Sequence, residues 1–308
     1  MKYVLRFLFL RNTQFSLAVI VGLLAPAGAE TLRPLVLPLL AIVLAFSLTG
    51  ITLKEFFPLR NLIRPMLFGI SASYLVLGTL IILLAWLFTP DKELFWGFVI
   101  IAAAPAGTGV IPFAFILRGD VAFAVFGVLG SYLASFILIP VMLMVFAPGV
   151  SVSPEIIGRI LVILLVIPMV ASRFLLAKPI QKPVFYLRGK VVNLGFALVI
   201  YTVIGSNQDV FLTDPMLLLP VAAVTFFATF GISLAADWAL KRWAKSFNGP
   251  KQISGMLLAS LKNNGFAIAV SLTLLPPRGG IPPAVMGMMM VPYLMYLSFR
   301  YREKSGGA

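Results

Sequence analysis

The sequence predicts an all-α polytopic membrane protein, with ten transmembrane helices arranged as two inverted five-helix repeats. Three observations predict this class. Of 308 residues, 61% are hydrophobic and 11% charged, and mean hydropathy is +1.06, whereas soluble domains carry about 25% charged residues. Lysine and arginine sort to one side of the apolar runs. Two of those runs, the fourth and the ninth, are interrupted by small and polar residues at positions about 155 residues apart, half the chain.

A spanning helix needs roughly 20 apolar residues. Ten runs meet that need, at about 13–28, 34–52, 65–89, 94–117, 120–147, 156–177, 184–206, 214–240, 251–275 and 280–300. The opening stretch, MKYVLRFLFLRNTQFSLAVIVGLLAPAGAE, has the basic and apolar parts of a signal peptide. The topology needs it instead as a first membrane helix behind a short amphipathic segment. With the N-terminus inside, 19 of the 24 Lys and Arg residues fall on the inner side, including Arg173, Lys178, Lys182, Arg188 and Lys190 between helices 6 and 7. Four (Arg33, Lys92, Arg159 and Arg278) fall outside, and Lys262 lies within a span. Cytoplasmic loops collect basic residues, so both termini are expected in the cytoplasm of an inner-membrane, multi-pass protein. Trp86 and Trp96 lie near outer helix ends, and Trp238 and Trp243 near an inner one, where aromatic belts form.

The chain has no cysteine and no histidine. That excludes disulfides, thiolate chemistry, zinc–thiolate sites and imidazole relays. No catalytic residue, metal or cofactor is expected. The net charge of +14 does not indicate nucleic acid, because the basic residues sit in short loops between apolar runs, as beside an anionic membrane leaflet. Membrane lipids are the expected partners of those loops.

The repeats are expected over about 12–147 and 155–301, each of five helices, so the second must be inverted. Helix 4 reads FWGFVIIAAAPAGTGVIPFAFILRGDVAFAV and helix 9 reads ISGMLLASLKNNGFAIAVSLTLLPPRGGIPPAV. Each has an apolar run, a break, a second short apolar run and an Arg-Gly pair. Irregular backbone at bilayer depth survives only when buried in protein or lining a cavity. Matched breaks in two inverted halves point to a transporter binding site. Half-helix N-termini carry unpaired N–H groups and about half a positive charge, which suits a small anionic group such as a carboxylate.

Each break residue has a part in that reading. Pro105 stops the first half of helix 4, and Gly107 and Gly109 permit close ligand approach. Thr108 supplies a hydroxyl. Asn263 and Asn264 supply amides, and Gly265 frees the chain to restart. Taken singly, such residues are also what a packed kink contains. Lys262 lies about 11 residues into helix 9, roughly 16 Å deep at 1.5 Å per residue, too deep to snorkel with ease. An ionisable residue at that depth marks function. Its expected partners are carbonyls ending the first half of helix 9, or an anionic substrate. Asp237 is read as interfacial, beside Trp238 and Lys241, and Arg118 and Asp120 as caps of the helix 4–5 turn.

The motifs AAAPAGTGVIPFAFILRGDVAFAV, IVLAFSLTGITLKEF and LLASLKNNGFAIAVSLTLL resemble the bile acid:sodium symporter family, and the chain is similar to a divergent bacterial-type member. The resemblance implies a panel of helices 1, 2, 6 and 7 and a core of helices 3–5 and 8–10. It also implies that broken helices 4 and 9 cross at mid-membrane. It places Thr108 and Asn263 on the substrate's polar group. The sodium ligands it implies are not kept. A Ser-Asn pair becomes Val110 and Ile111, a glutamate becomes Leu258, and glutamines become Lys262 and Ser73.

An ammonium about 5 Å from a sodium ion opposes it by roughly 3 kcal/mol at an effective dielectric of 20. The expectation is therefore a secondary active transporter of a small organic anion, working by alternating access without sodium. Lys262 replaces a sodium ion and is a candidate to carry a coupling proton, since burial disfavours a charged amine. Ordinary sodium symport, and a channel or receptor on a transporter fold, stay open as alternatives. A Schiff-base enzyme lacks a carboxylate or histidine beside its lysine. No GxxxxGK[ST] motif occurs, which argues against ATP-driven pumping.

Overall fold

The computed structural model describes residues 11–49, 62–107, 109–148, 162–206, 215–244 and 249–302, with residues 155, 159, 208, 212 and 247. Among them the fold is all helical, with no strand beyond one isolated bridge. The helices are α1 (Arg11–Leu24), α2 (Val36–Leu48), α3 (Ile63–Phe88), α4a (Lys92–Ala103), α4b (Val110–Ile116) and α5 (Val121–Phe146). They continue as α6 (Val162–Val166 running into Ile167–Leu175), α7 (Lys178–Gly205), α8 (Pro215–Phe226, Phe227–Gly231 and Ile232–Trp243), α9a (Gly249–Ser260), α9b (Asn264–Leu274) and α10 (Ile281–Arg302). Short helical turns from Pro26 to Leu35 join α1 to α2.

Among the described residues, six helical stretches are long and apolar enough to cross a bilayer: Pro26–Phe46, Ile63–Phe88, Val121–Phe146, Lys178–Thr202, Met216–Trp243 and Pro277–Tyr301. Outward-facing apolar side chains are abundant, with Leu24 79%, Met144 76% and Met216 75% exposed. Lipid, not water, is the solvent such a surface requires. α7 starts at Lys178, earlier than the expected 184, so Lys178 and Lys182 lie on the helix together with Arg188 and Lys190.

Small residues set the closest approaches, as in membrane helix packing generally. A Cβ on Gly69 of α3 would lie 2.1 Å from the Gly127 carbonyl of α5, and one on Gly195 of α7 would lie 2.2 Å from Val43 of α2. α1, α2, α6 and α7 pack chiefly on one another, and meet the other helices mainly through α9b and α10. α3 is π-helical over Ser71–Gly78 and α8 over Phe227–Gly231. The wider turn in α3 carries Ser73 and Tyr74, both buried, beneath the break in α4.

Helix starts follow their sequence cues. Asp91 Oδ1 accepts from the N–H groups of Glu93 and Leu94 at the head of α4a, and Asp120 Oδ1 accepts from Phe123 N at the head of α5. Arg118 adopts a left-handed φ of 58° just past α4b, and Gly119 N donates back to Ala114 O at 2.6 Å, so Arg118 caps the C-terminal end of α4b through its backbone. Asp237 is 2% exposed, so its carboxylate is enclosed by the protein. It accepts from Lys241 Nζ, Gln252 Nε2, Arg300 Nη2 and Tyr301 Oη. One carboxylate thereby ties α8 to α9a and α10.

Candidate substrate site at the helix crossing

Both breaks fall where the sequence places them, between Ala103 and Val110 and between Ser260 and Asn264. They meet in space. Ala106 and Lys262 form an antiparallel bridge, in which Gly107 N donates to Leu261 O and Asn263 N donates to Pro105 O, both at 2.9 Å. A short two-stranded contact thus satisfies backbone groups that interrupted helices leave unpaired. Ala106 N donates to Ser131 Oγ of α5 at 3.0 Å. Gly107 is required here, because a Cβ would lie 2.8 Å from Lys262 O. Gly109 has more room, with its nearest neighbour at 3.5 Å.

Lys262 is 1% exposed. Its Nζ donates to Ser73 Oγ at 3.0 Å and to the carbonyls of Ala102 and Ala104 at 2.8 Å each. It also lies 4.4 Å from the centre of the Tyr74 ring, a cation–π distance. The three N–H donors of an ammonium therefore meet three acceptors. The sequence points to carbonyls of Lys262's own half-helix. The bridge instead carries the side chain across to the C-terminal end of α4a, where carbonyls lack helical partners and the helix dipole favours a cation.

Asn263 is 3% exposed. Its Oδ1 accepts from Phe266 N at 3.1 Å, capping α9b, and its Nδ2 donates to Tyr132 Oη. Its amide is engaged within the fold. Asn264 differs: its Nδ2 donates to Met290 Sδ at 3.3 Å, while its Oδ1 is buried without a hydrogen-bond partner among the described residues. Thr108 lies outside the described residues. Pro105 ends α4a through its place in the bridge, and Gly265 packs against Phe196 of α7.

A cavity of about 410 Å³ opens at the crossing. Gly107, Gly109, Lys262, Asn263, Asn264 and Gly265 line one wall. α7 supplies the other through Phe185, Arg188, Gly189, Val192, Asn193, Phe196 and Ile200, with Phe15 from α1 and Met290 and Leu294 from α10. The sequence reading missed this second wall, and it also missed Ser131, Tyr132 and Tyr74. The α7 residues recur every three or four positions, a stripe that the sequence carries.

Four of the five positions where the resemblance implies sodium ligands are apolar or cationic, and the fifth is Ser73. Val110 is fully buried and Ile111 is 8% exposed. Leu258 is fully buried and lies over Gly127, whose added Cβ would stand 2.4 Å from Leu258 Cδ1. Ser73 keeps a hydroxyl and gives it to Lys262. Among the described residues no group of three or more Asp, Glu, His or Cys side chains is placed to hold a metal.

Two interrupted helices stitched together beside an open cavity, in a bundle with helices apolar enough to cross a bilayer, are the arrangement expected of a multi-pass membrane transporter. A family model described as the sodium bile acid symporter family matches residues 37–213. The chain belongs to that family. A search of curated proteins finds no match.

Proposed function

We propose that the chain is a sodium-independent secondary carrier of a small organic anion. The carrying observation is Lys262 Nζ held by Ser73 Oγ and the carbonyls of Ala102 and Ala104. A buried ammonium takes the oxygens a hard cation would need, and Val110, Ile111 and Leu258 supply no replacements. In this reading Lys262 replaces a sodium ion. A neutral amine has two N–H groups, so proton loss would release one of the three acceptors. That change at the crossing makes Lys262 the candidate for carrying a coupling proton.

The site in this reading comprises Thr108, Gly109, Asn263, Asn264 and Gly265 around the substrate, with Pro105 and Gly107 holding the break. Ten spans in two inverted repeats, with the core moving against a panel of α1, α2, α6 and α7, is the matching architecture for alternating access. Three features support it: the paired breaks, the π-helical turns of α3 and α8 at nearly the same spacing, and the packing of those four helices on one another. The basic residues support an inner-membrane protein with cytoplasmic termini.

Flux in proteoliposomes tests the reading. Saturable, counterflow-competent uptake of labelled carboxylates that is the same in sodium and potassium media is expected. Strict sodium dependence that survives Lys262→Gln would overturn it. Ordinary sodium:organic anion symport is the second reading, favoured by the description of the family to which the chain belongs.

A further inference from the structure

We propose that Lys178 and Lys182 of α7 form a cationic vestibule at the mouth of the crossing cavity, which gathers small anions at the entrance and turns away sodium and other cations. Only its use in transport rests on the carrier reading. The register of α7 carries the inference. Phe185, Gly189, Val192 and Phe196 line the cavity. Counted back from Phe196 in alternating steps of four and three, they form one helical stripe, and its next two members are Lys182 and Lys178. Both lysines lie on the same continuous helix, Lys178–Gly205, and both are exposed. Pro183 removes one backbone hydrogen bond without ending that helix.

The cavity opens at their end. Phe185 is 46% exposed, and a Cβ on Gly189 would meet nothing within 4 Å. At the other end of the wall, Ile200 of α7 is 4% exposed and Ile268 of α9b is 2% exposed. Membrane topology selects the side on which basic residues collect, not their register on a helix. Helix stability does not place them either, because a cation in the first turn, such as Lys178, opposes the macrodipole.

The helices that line the cavity do not offset this charge. α7 carries Lys178, Lys182, Arg188 and Lys190 and no acidic residue, and α1, α4b, α9b and α10 carry no acidic residue either. Lys178 and Lys182 make no hydrogen bond or ion pair among the described residues. Gly189 at the mouth is about 10 Å of helix rise from Lys182 and about 16 Å from Lys178. At low salt, two unit charges at those distances raise the local concentration of a monovalent anion about two- to threefold in water, and lower that of a cation by the same factor. A sodium ion is thus disfavoured at the entrance as well as beside Lys262.

The chain has no cysteine, so Gly189→Cys places a single thiol at the mouth, where its side chain has room. The test uses this full chain in phosphatidylcholine nanodiscs, which expose both faces and carry no net lipid charge, at about 10 mM salt. The probes are two methanethiosulfonates, the anionic sulfonatoethyl and the cationic trimethylammonioethyl reagents. The ratio of their modification rates, anion over cation, should exceed that for 2-mercaptoethanol in solution. It should fall about fivefold in Lys178→Gln/Lys182→Gln and about twenty-fivefold in Lys178→Glu/Lys182→Glu. At about 1 M salt, where the Debye length is about 3 Å, it should collapse towards the solution value. Arg242→Gln, on α8 and outside the cavity lining, should leave the ratio unchanged. A ratio that persists in Lys178→Gln/Lys182→Gln, or falls as far in Arg242→Gln, would overturn the proposal. The measurement requires no transport, and counterflow in proteoliposomes tests the carrier reading separately. A positive vestibule without counterflow leaves the site standing and removes the carrier, and counterflow with no vestibule does the reverse.

Discussion

Ala106 and Lys262 face each other across an antiparallel bridge, far apart in sequence and joined by backbone hydrogen bonds on both sides. The backbone satisfies itself at the point where two helices are interrupted, and side chains are left to do other work. Lys262 uses its freedom to reach the carbonyl end of α4a.

Removing that ammonium should therefore destabilise the bundle. Lys262→Met keeps the length of the chain but leaves Ser73 Oγ and two buried carbonyls without their donor. A loss of about 3 kcal/mol is expected. Thermal unfolding in detergent checks it, and Lys262→Gln, which restores an N–H donor, should recover part of the loss.

The two glycines of the first break should behave differently. Gly107→Ala drives a methyl to 2.8 Å from Lys262 O, against backbone that cannot yield cheaply. It should cost about 1–3 kcal/mol. Gly109→Ala meets only ordinary contacts, so it should unfold like wild type while narrowing the cavity. Parallel melting curves and binding measurements distinguish the two outcomes.

Asp237 is a structural carboxylate. Asp237→Ala removes the shared acceptor of Lys241, Gln252, Arg300 and Tyr301. Lys241 and Arg300 are 43% and 35% exposed at their side chains and can turn outward, whereas Gln252 and Tyr301 are buried. A loss of about 2 kcal/mol is expected, below the 3–5 kcal/mol of a fully enclosed pair. Proteolysis or hydrogen exchange at the α8–α9a junction should report it.

Arg118 holds a left-handed conformation at φ 58°. Glycine adopts that region without the side-chain cost, so Arg118→Gly should gain up to about 1 kcal/mol, and the β-branched Arg118→Val should lose at least as much. A gain in the valine variant would show that the turn is shaped by something else.

The sequence disclosed the helical class and both breaks for one reason: Pro105, Gly107, Lys262 and Asn263 are expensive inside hydrocarbon, so their presence is a signal. What it concealed were the partners. Ser73, Ser131 and Tyr132 are single hydroxyls in apolar helices, where a serine or tyrosine is unremarked until its neighbour is known. Asn263 and Asn264 look alike in sequence. Only the bridge makes the first a cap and leaves the second an acceptor in the cavity. Arg188 was hidden by its basic neighbours, because a charge that signals orientation and a charge that lines a cavity are the same residue type. The Thr108 hydroxyl lies outside the described residues.

The paired bonds Gly107 N to Leu261 O and Asn263 N to Pro105 O act as a rivet. Four half-helices pinned at one point cannot scissor open to let cargo through. In the proposed carrier, the stroke would then fall at the seam where α7 rests on α9b and α10, with the phenyl ring of Phe196 against Gly265 as its bearing surface.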